Sequence, residues 1–153
     1  ENLGPGDVII TNDPFPSGVH LNDVSLVSPV HADGILLGYV ANLAHHVDVG
    51  GGAPASIGAF REVFQEGVII PPVKVVAGGR IVDDVFRLIL AQIRSKHETA
   101  GDFRAQIAAE TPASSKRVRC PTISRTRFGR TLTEWAEGVE VGEERFGVVR
   151  QFA

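Results

Sequence analysis

Two apolar runs, DVSLVSPV at residues 23–30 and GILLGYVANLAHH at 34–46, face each other across a short polar stretch, HADG. Runs rich in Val, Leu and Ile that end in turn residues make strands, and a Gly-ended turn between two of them makes a hairpin. A lone hairpin is marginal in water, so its apolar face requires further strands or a helix. The flanking sequence offers both. DVIIT at 7–11 is a short β-branched run closed by Asn12-Asp13-Pro14, which favours a turn. GVIIPPVKVVAGGRIV at 67–82 gives two more such runs, bent by Pro71–Pro72 and turned at Gly78–Gly79.

After residue 82 the period changes. DDVFRLILAQIRSK sets Val85, Leu88, Ile89 and Ile93 at helical spacing behind Asp83, a candidate N-cap, and Gln92 interrupts that face. GDFRAQIAAE at 101–110 repeats the pattern, with Asp102 as the expected cap and Phe103 and Ile107 on one face. Strands first and helices second point to an α+β fold: mostly β-strands and hairpins, followed by two helices.

Charge divides the chain. Residues 1–110 carry a balance of −6 and residues 111–153 one of +3. A boundary is therefore expected at Thr111–Pro112, with a partial domain over 1–110 and a basic, weakly structured or disordered tail over 111–153. The net charge of −3 gives no overall pull toward nucleic acid or an anionic membrane. The basic stretch 116–130 holds one aromatic residue, Phe128, and reads as a solvated face. No apolar run approaches a membrane span, and one cysteine, Cys120, leaves no disulfide framework. The cytoplasm is the expected compartment. With no methionine anywhere, the chain reads as a piece of something longer or as a processed product.

Polar residues concentrate where the hairpin begins and ends. His20 and Asp23 lie three apart in HLND, so one turn can aim both side chains at a point. His45, His46 and Asp48 follow the second strand in AHHVDVGGG. Adjacent strand residues point to opposite faces, so only one of the two histidines can ordinarily join a given site. Two imidazoles and a carboxylate are a ligand set for Fe(II), Mn(II) or Zn(II). They are equally the residues found as turn-capping aspartates and satisfied histidines, and spacing alone leaves both readings open. Gly50–Gly52 lacks the Gly-Lys-Ser/Thr ending of a phosphate loop and reads as a mobile loop near a site or a plain connection. His31 and His97 sit in polar turns by this reading and are expected to be exposed.

Five blocks in order carry a resemblance: GDVIITNDPFPSGVHLNDVSLVSPV, ANLAHHVDVGGGAPAS, FQEGVIIPPVKVV, RLILAQIRS and GDFRAQIAA, spanning residues 6–109. Together they resemble the hydantoinase B/oxoprolinase family, which includes N-methylhydantoinase B subunits, the C-terminal part of 5-oxoprolinase and the related acetone carboxylase alpha subunit. The resemblance implies an ATP-dependent hydrolase of cyclic amides such as hydantoins or 5-oxoproline. It further implies a hydantoinase A-type ATP-binding partner subunit or domain, a hetero-oligomer and a divalent metal ion (Mn, Zn or Fe). Carried over by position, the metal ligands fall on His20, Asp23 and His45. His46 and Asp48 become candidates for orientation of the ligands or proton transfer, and Asn12 and Asp13 for shaping the turn beside the site. The family also uses an aspartate upstream of the Asn-Asp-Pro block, so the chain alone is expected to be inactive. Two other readings stay open: a non-catalytic remnant that serves subunit interaction, and a piece of an acetone-type carboxylase alpha subunit.

Overall fold

A computed structural model describes residues 3–17, 20–32, 34–115 and 146–151. The hairpin is its centre. Strands β2 (Asp23–Ala32) and β3 (Ile35–His45) pair antiparallel over their whole length, from Asp23 opposite His45 to Ala32 opposite Ile35, with one irregularity between Val30 and His31. Strand β1 (Val8–Thr11) lies antiparallel on the other side of β2, and β4 (Val73–Ala77) lies antiparallel on β1. A two-residue strand, β5 (Arg80–Ile81), closes that side through the Gly78–Gly79 turn. On the far side β6 (Phe146–Gln151) pairs parallel with β3. The sheet order is β5-β4-β1-β2-β3-β6.

One short helix, α1 (Pro14–Ser17), follows β1; the two larger ones, α2 (Asp83–Ala91) and α3 (Lys96–Ser115), come after the sheet. They pack on the sheet, α2 against β4 and α3 against β2 and β3. Between them lies the core. Val8 and Ile10 of β1 and Val24 and Leu26 of β2 turn inward at the period of two that strands impose. Phe86 and Ile89 of α2, then Ile93, then Ala100, Phe103 and Ile107 of α3 meet them from the helical side. Each of the Val, Leu, Ile and Phe side chains contributes about 1.5–3 kcal/mol on leaving water.

The expected α+β order is what forms, and several details differ. Asp83 is the first helical residue of α2, not its cap; Val82 holds the cap position without a side-chain bond, and Asp83 and Asp84 favour the first turn through their charge. Leu88 is exposed, while Phe86 takes its place in the core. Helix α3 begins at Lys96, so Asp102 sits within it and caps nothing. The segment Gly67–Pro71 forms no strand. Asn12 and Thr11 bond to its backbone instead, with Ile70 N donating to Asn12 Oδ1 at 2.7 Å and Thr11 Oγ1 donating to Ile70 O at 3.0 Å. His31 lies half-buried on β2 and His97 within α3, neither in a turn, and of the two only His97 is exposed as expected. Helix α3 continues through Thr111–Pro112 to Ser115. Of the tail expected to be weakly structured, residues 116–145 and 152–153 lie outside the described residues, and its described pieces are the end of α3 and β6.

Candidate functional site

The register of the hairpin builds the site. Asp23 opens β2 and His45 closes β3, and the two are direct cross-strand partners. Opposed residues share a face with their Cβ atoms close together, so the side chains meet. Asp23 Oδ1 lies 2.8 Å from His45 Nδ1. The other carboxylate oxygen accepts from the backbone N–H of His20 at 3.3 Å, while Asp23 N donates to His20 O at 3.0 Å. The spacing of three in HLND is thus a closed turn. It brings the His20 ring beside that of His45, with centroids 6.5 Å apart and planes at 67°.

This edge is open to solvent. The His45 side chain is 54% exposed and that of Asp23 20%. With the His45 proton on Nδ1, donated to Asp23, the Nε2 lone pair is the free donor of the ring. Among the described residues, no three His, Cys, Asp or Glu side chains are closed around a common point. The Asp23–His45 pair is in contact, and His20 stands next to it on the same exposed edge. The chemistry of the donor set, two imidazoles and one carboxylate, fits a divalent ion.

His46 takes the opposite face, as strand alternation requires. The residue is 4% exposed; its ring stacks on Phe103 at 4.3 Å and places Nε2 3.0 Å from Gln106 Oε1 of α3. Burial pushes this imidazole below the ordinary histidine value, against the pull of Gln106 and Asp102. Gln106 in turn donates to Val24 O and Asn42 Oδ1, each at 2.8 Å, and Ser28 Oγ donates to the buried Glu110 at 2.6 Å. A polar seam therefore joins α3 to the hairpin, its members hydrogen-bonded as burial demands.

Asp48 is buried as well. It accepts from Gly50 N and Arg94 N, each at 2.9 Å, from Ser95 N at 3.4 Å, and from the Arg94 guanidinium at 3.2 Å. Burial raises its pKa, but the backbone donors of Gly50, Arg94 and Ser95 and the Arg94 charge outweigh that and hold it below the usual carboxylate range. Its place is the start of α3, where a negative charge is favoured. Arg94 also donates to the carbonyls of Gly50 and Gly51. Both glycines have positive φ, and a Cβ on Gly50 would sit 2.6 Å from Gln92 O. The glycine run is thus a pinned connection rather than a loose one.

Asn12 shapes the turn beside the site, as expected, by donating to Leu21 O at 2.7 Å and Val68 O at 2.9 Å. Asp13 accepts from Phe15 N at 3.0 Å and caps α1. Asn22, Ser56, Arg94 and Gln106 also shape this region, and spacing does not mark them. Asn22 lies inside the HLND block itself; Ser56 and Gln106 carry no local signal, because their partners lie 34 and 60 residues away.

A family model described as hydantoinase B/oxoprolinase matches residues 1–119. The chain belongs to this family. Among its relatives, an uncharacterized protein of Methanocaldococcus jannaschii is 49% identical over 104 residues, covering 67% of this chain and 18% of its own length. A 5-oxoprolinase of Pestalotiopsis fici is 39% identical over 102 residues, covering 66% of this chain and 7% of its own. The crystal structure of the ATP-dependent caprolactamase from Pseudomonas jessenii superposes with a TM-score of 0.70 at 35% identity, covering 74% of this chain and 20% of that one. This hydantoinase B/oxoprolinase chain spans less than a fifth of the length of the curated relatives it matches most strongly. Among the described residues, no helix is long and apolar enough to cross a membrane.

Proposed function

We propose that this chain supplies the metal-holding edge of an ATP-dependent hydrolase of cyclic amides, acting on a hydantoin, 5-oxoproline or a similar lactam. The observation that carries the reading is the Asp23–His45 pair at 2.8 Å with His20 beside it on one exposed edge, in a chain whose relatives include a 5-oxoprolinase and a caprolactamase. His20, Asp23 and His45 would hold a divalent Mn, Zn or Fe ion. When bound, such an ion supplies Lewis acidity toward an amide oxygen or a more acidic water.

The chain's own residues do the rest. Asp23 Oδ1 lies 2.8 Å from His45 Nδ1, a contact that would give way once both residues share one ion, and the edge that carries them is open to solvent. His46 and Asp48 act by orientation: one fixes the strand end under α3, the other fixes the loop that follows. An unstrained lactam is protected by amide resonance, and the hydrolysis barrier is lowered by ATP-driven activation of the amide oxygen. That step belongs to a hydantoinase A-type partner, and the naming of the caprolactamase and hydantoinase relatives as subunits supports a hetero-oligomer.

The test is reconstitution with the ATP-binding partner. The complex should hydrolyse a cyclic amide only with ATP, and His20→Ala or His45→Ala should remove both bound metal and turnover. A His45→Ala complex with full metal content and an unchanged rate would contradict the reading.

A further inference from the structure

Beneath the exposed edge, one side chain joins the two segments that carry it. Asn22 lies between His20 and Asp23 in sequence and is 1% exposed. Its Nδ2 donates to His46 O at 2.6 Å, and its backbone carbonyl accepts from His46 N at 2.8 Å. The turn holding His20 and Asp23 is thereby clasped to the residue next to His45, one step beyond the last ladder pair. With the amide nitrogen committed to His46, the Asn22 oxygen faces the other way, where Ser56 Oγ donates to it at 2.7 Å.

Ser56 is held there against its own preference. Ala55 and Ser56 have φ of 58° and 54°, a region that side chains other than glycine adopt only at a cost. The Ser56 hydroxyl also lies 2.8 Å from Glu66 O. A hydroxyl has one proton and both partners are acceptors, so it is shared between the clasp and the Val63–Gln65 turn region. The strained pair brings a distant loop to Asn22 and fixes the rotamer that grips His46.

We infer that Asn22, locked by Ser56, is a positioning residue for the divalent ion: it sets the separation between the His20–Asp23 turn and His45. This rests on the metal reading above and adds residues that touch no ligand atom. Removing a direct outer partner of a metal ligand ordinarily changes affinity by about 10–100-fold; Asn22 and Ser56 act one bond further out, through His46, so the low end of that range applies.

The experiment measures Zn²⁺ affinity of the 153-residue chain by competition with a chromophoric chelator, together with the visible absorption of the Co²⁺-loaded chain. The variants are Asn22→Ala, Ser56→Gly and His45→Ala. Ser56→Gly removes the hydroxyl while relieving the backbone, so it should keep the thermal midpoint and remains informative if Asn22→Ala does not fold. Both positioning variants should weaken Zn²⁺ binding by about 10-fold and shift the Co²⁺ bands. Wild-type affinity and an unshifted Co²⁺ spectrum in Ser56→Gly, with binding lost in His45→Ala, would overturn the inference and leave the metal reading standing. A wild-type chain that binds no Zn²⁺, or a His45→Ala chain that binds it as well as wild type, would overturn both.

Discussion

Asn12 commits every polar atom of its side chain to backbone: Nδ2 to Leu21 O and Val68 O, Oδ1 to Ile70 N. Asn12→Ala leaves three buried groups without these partners, at about 1–3 kcal/mol for each that stays unpaired. The expected loss is about 2–4 kcal/mol, read from the denaturant midpoint at constant slope. A loss below about 0.5 kcal/mol would show that water replaces the amide. At this scale the legible residues were those whose partners follow from a local pattern. Asp23 and His45 meet because a hairpin register pairs them, and His20 joins because three residues make a turn. Asn22 and Ser56 were not legible, because an amide gripping a distant carbonyl leaves no periodicity behind.

The elements show where pattern reading works and where it stops. The β2–β3 hairpin was legible because its runs are apolar and its turn ends in Gly34. The start of α3 was not, because its buried stripe mixes Ala100, Phe103 and Ile107 with Thr99, Gln106 and Glu110, so apolar spacing alone places the start too late. Ser95-x-x-Glu98 is the cue that marks it. This polar seam gives α3 a pH dependence through His46. Its folded pKa lies below the ordinary 6.5, so the unfolded state takes up the proton first. The stabilisation is complete above about pH 6.5 and falls as pH drops below it toward the folded value. Thermal midpoints from pH 8 to 5 should decline in wild type beyond the decline seen in His46→Gln, which has no proton to gain. Parallel curves would show that the ring does not carry the effect.

For the whole molecule, the sheet and its helices bring His20, Asp23 and His45 to one exposed edge, and under the proposed function the energy source is an ATP-binding partner. Assayed without an ATP-binding partner, the chain should hydrolyse neither 5-oxoproline nor hydantoins, with or without ATP, because an unactivated amide keeps too high a barrier for a metal edge alone. Steady release of ring-opened product from the purified chain would show that the partner is dispensable. The proposed function requires His20, Asp23 and His45 to share one ion. Anomalous diffraction from crystals of the assembled complex, grown with Mn²⁺ or Zn²⁺, tests it most directly. A single strong peak is expected about 2.0–2.2 Å from both imidazoles and the Asp23 carboxylate. A peak elsewhere, with Asp23 still bonded to His45 and His20 turned away, would contradict it.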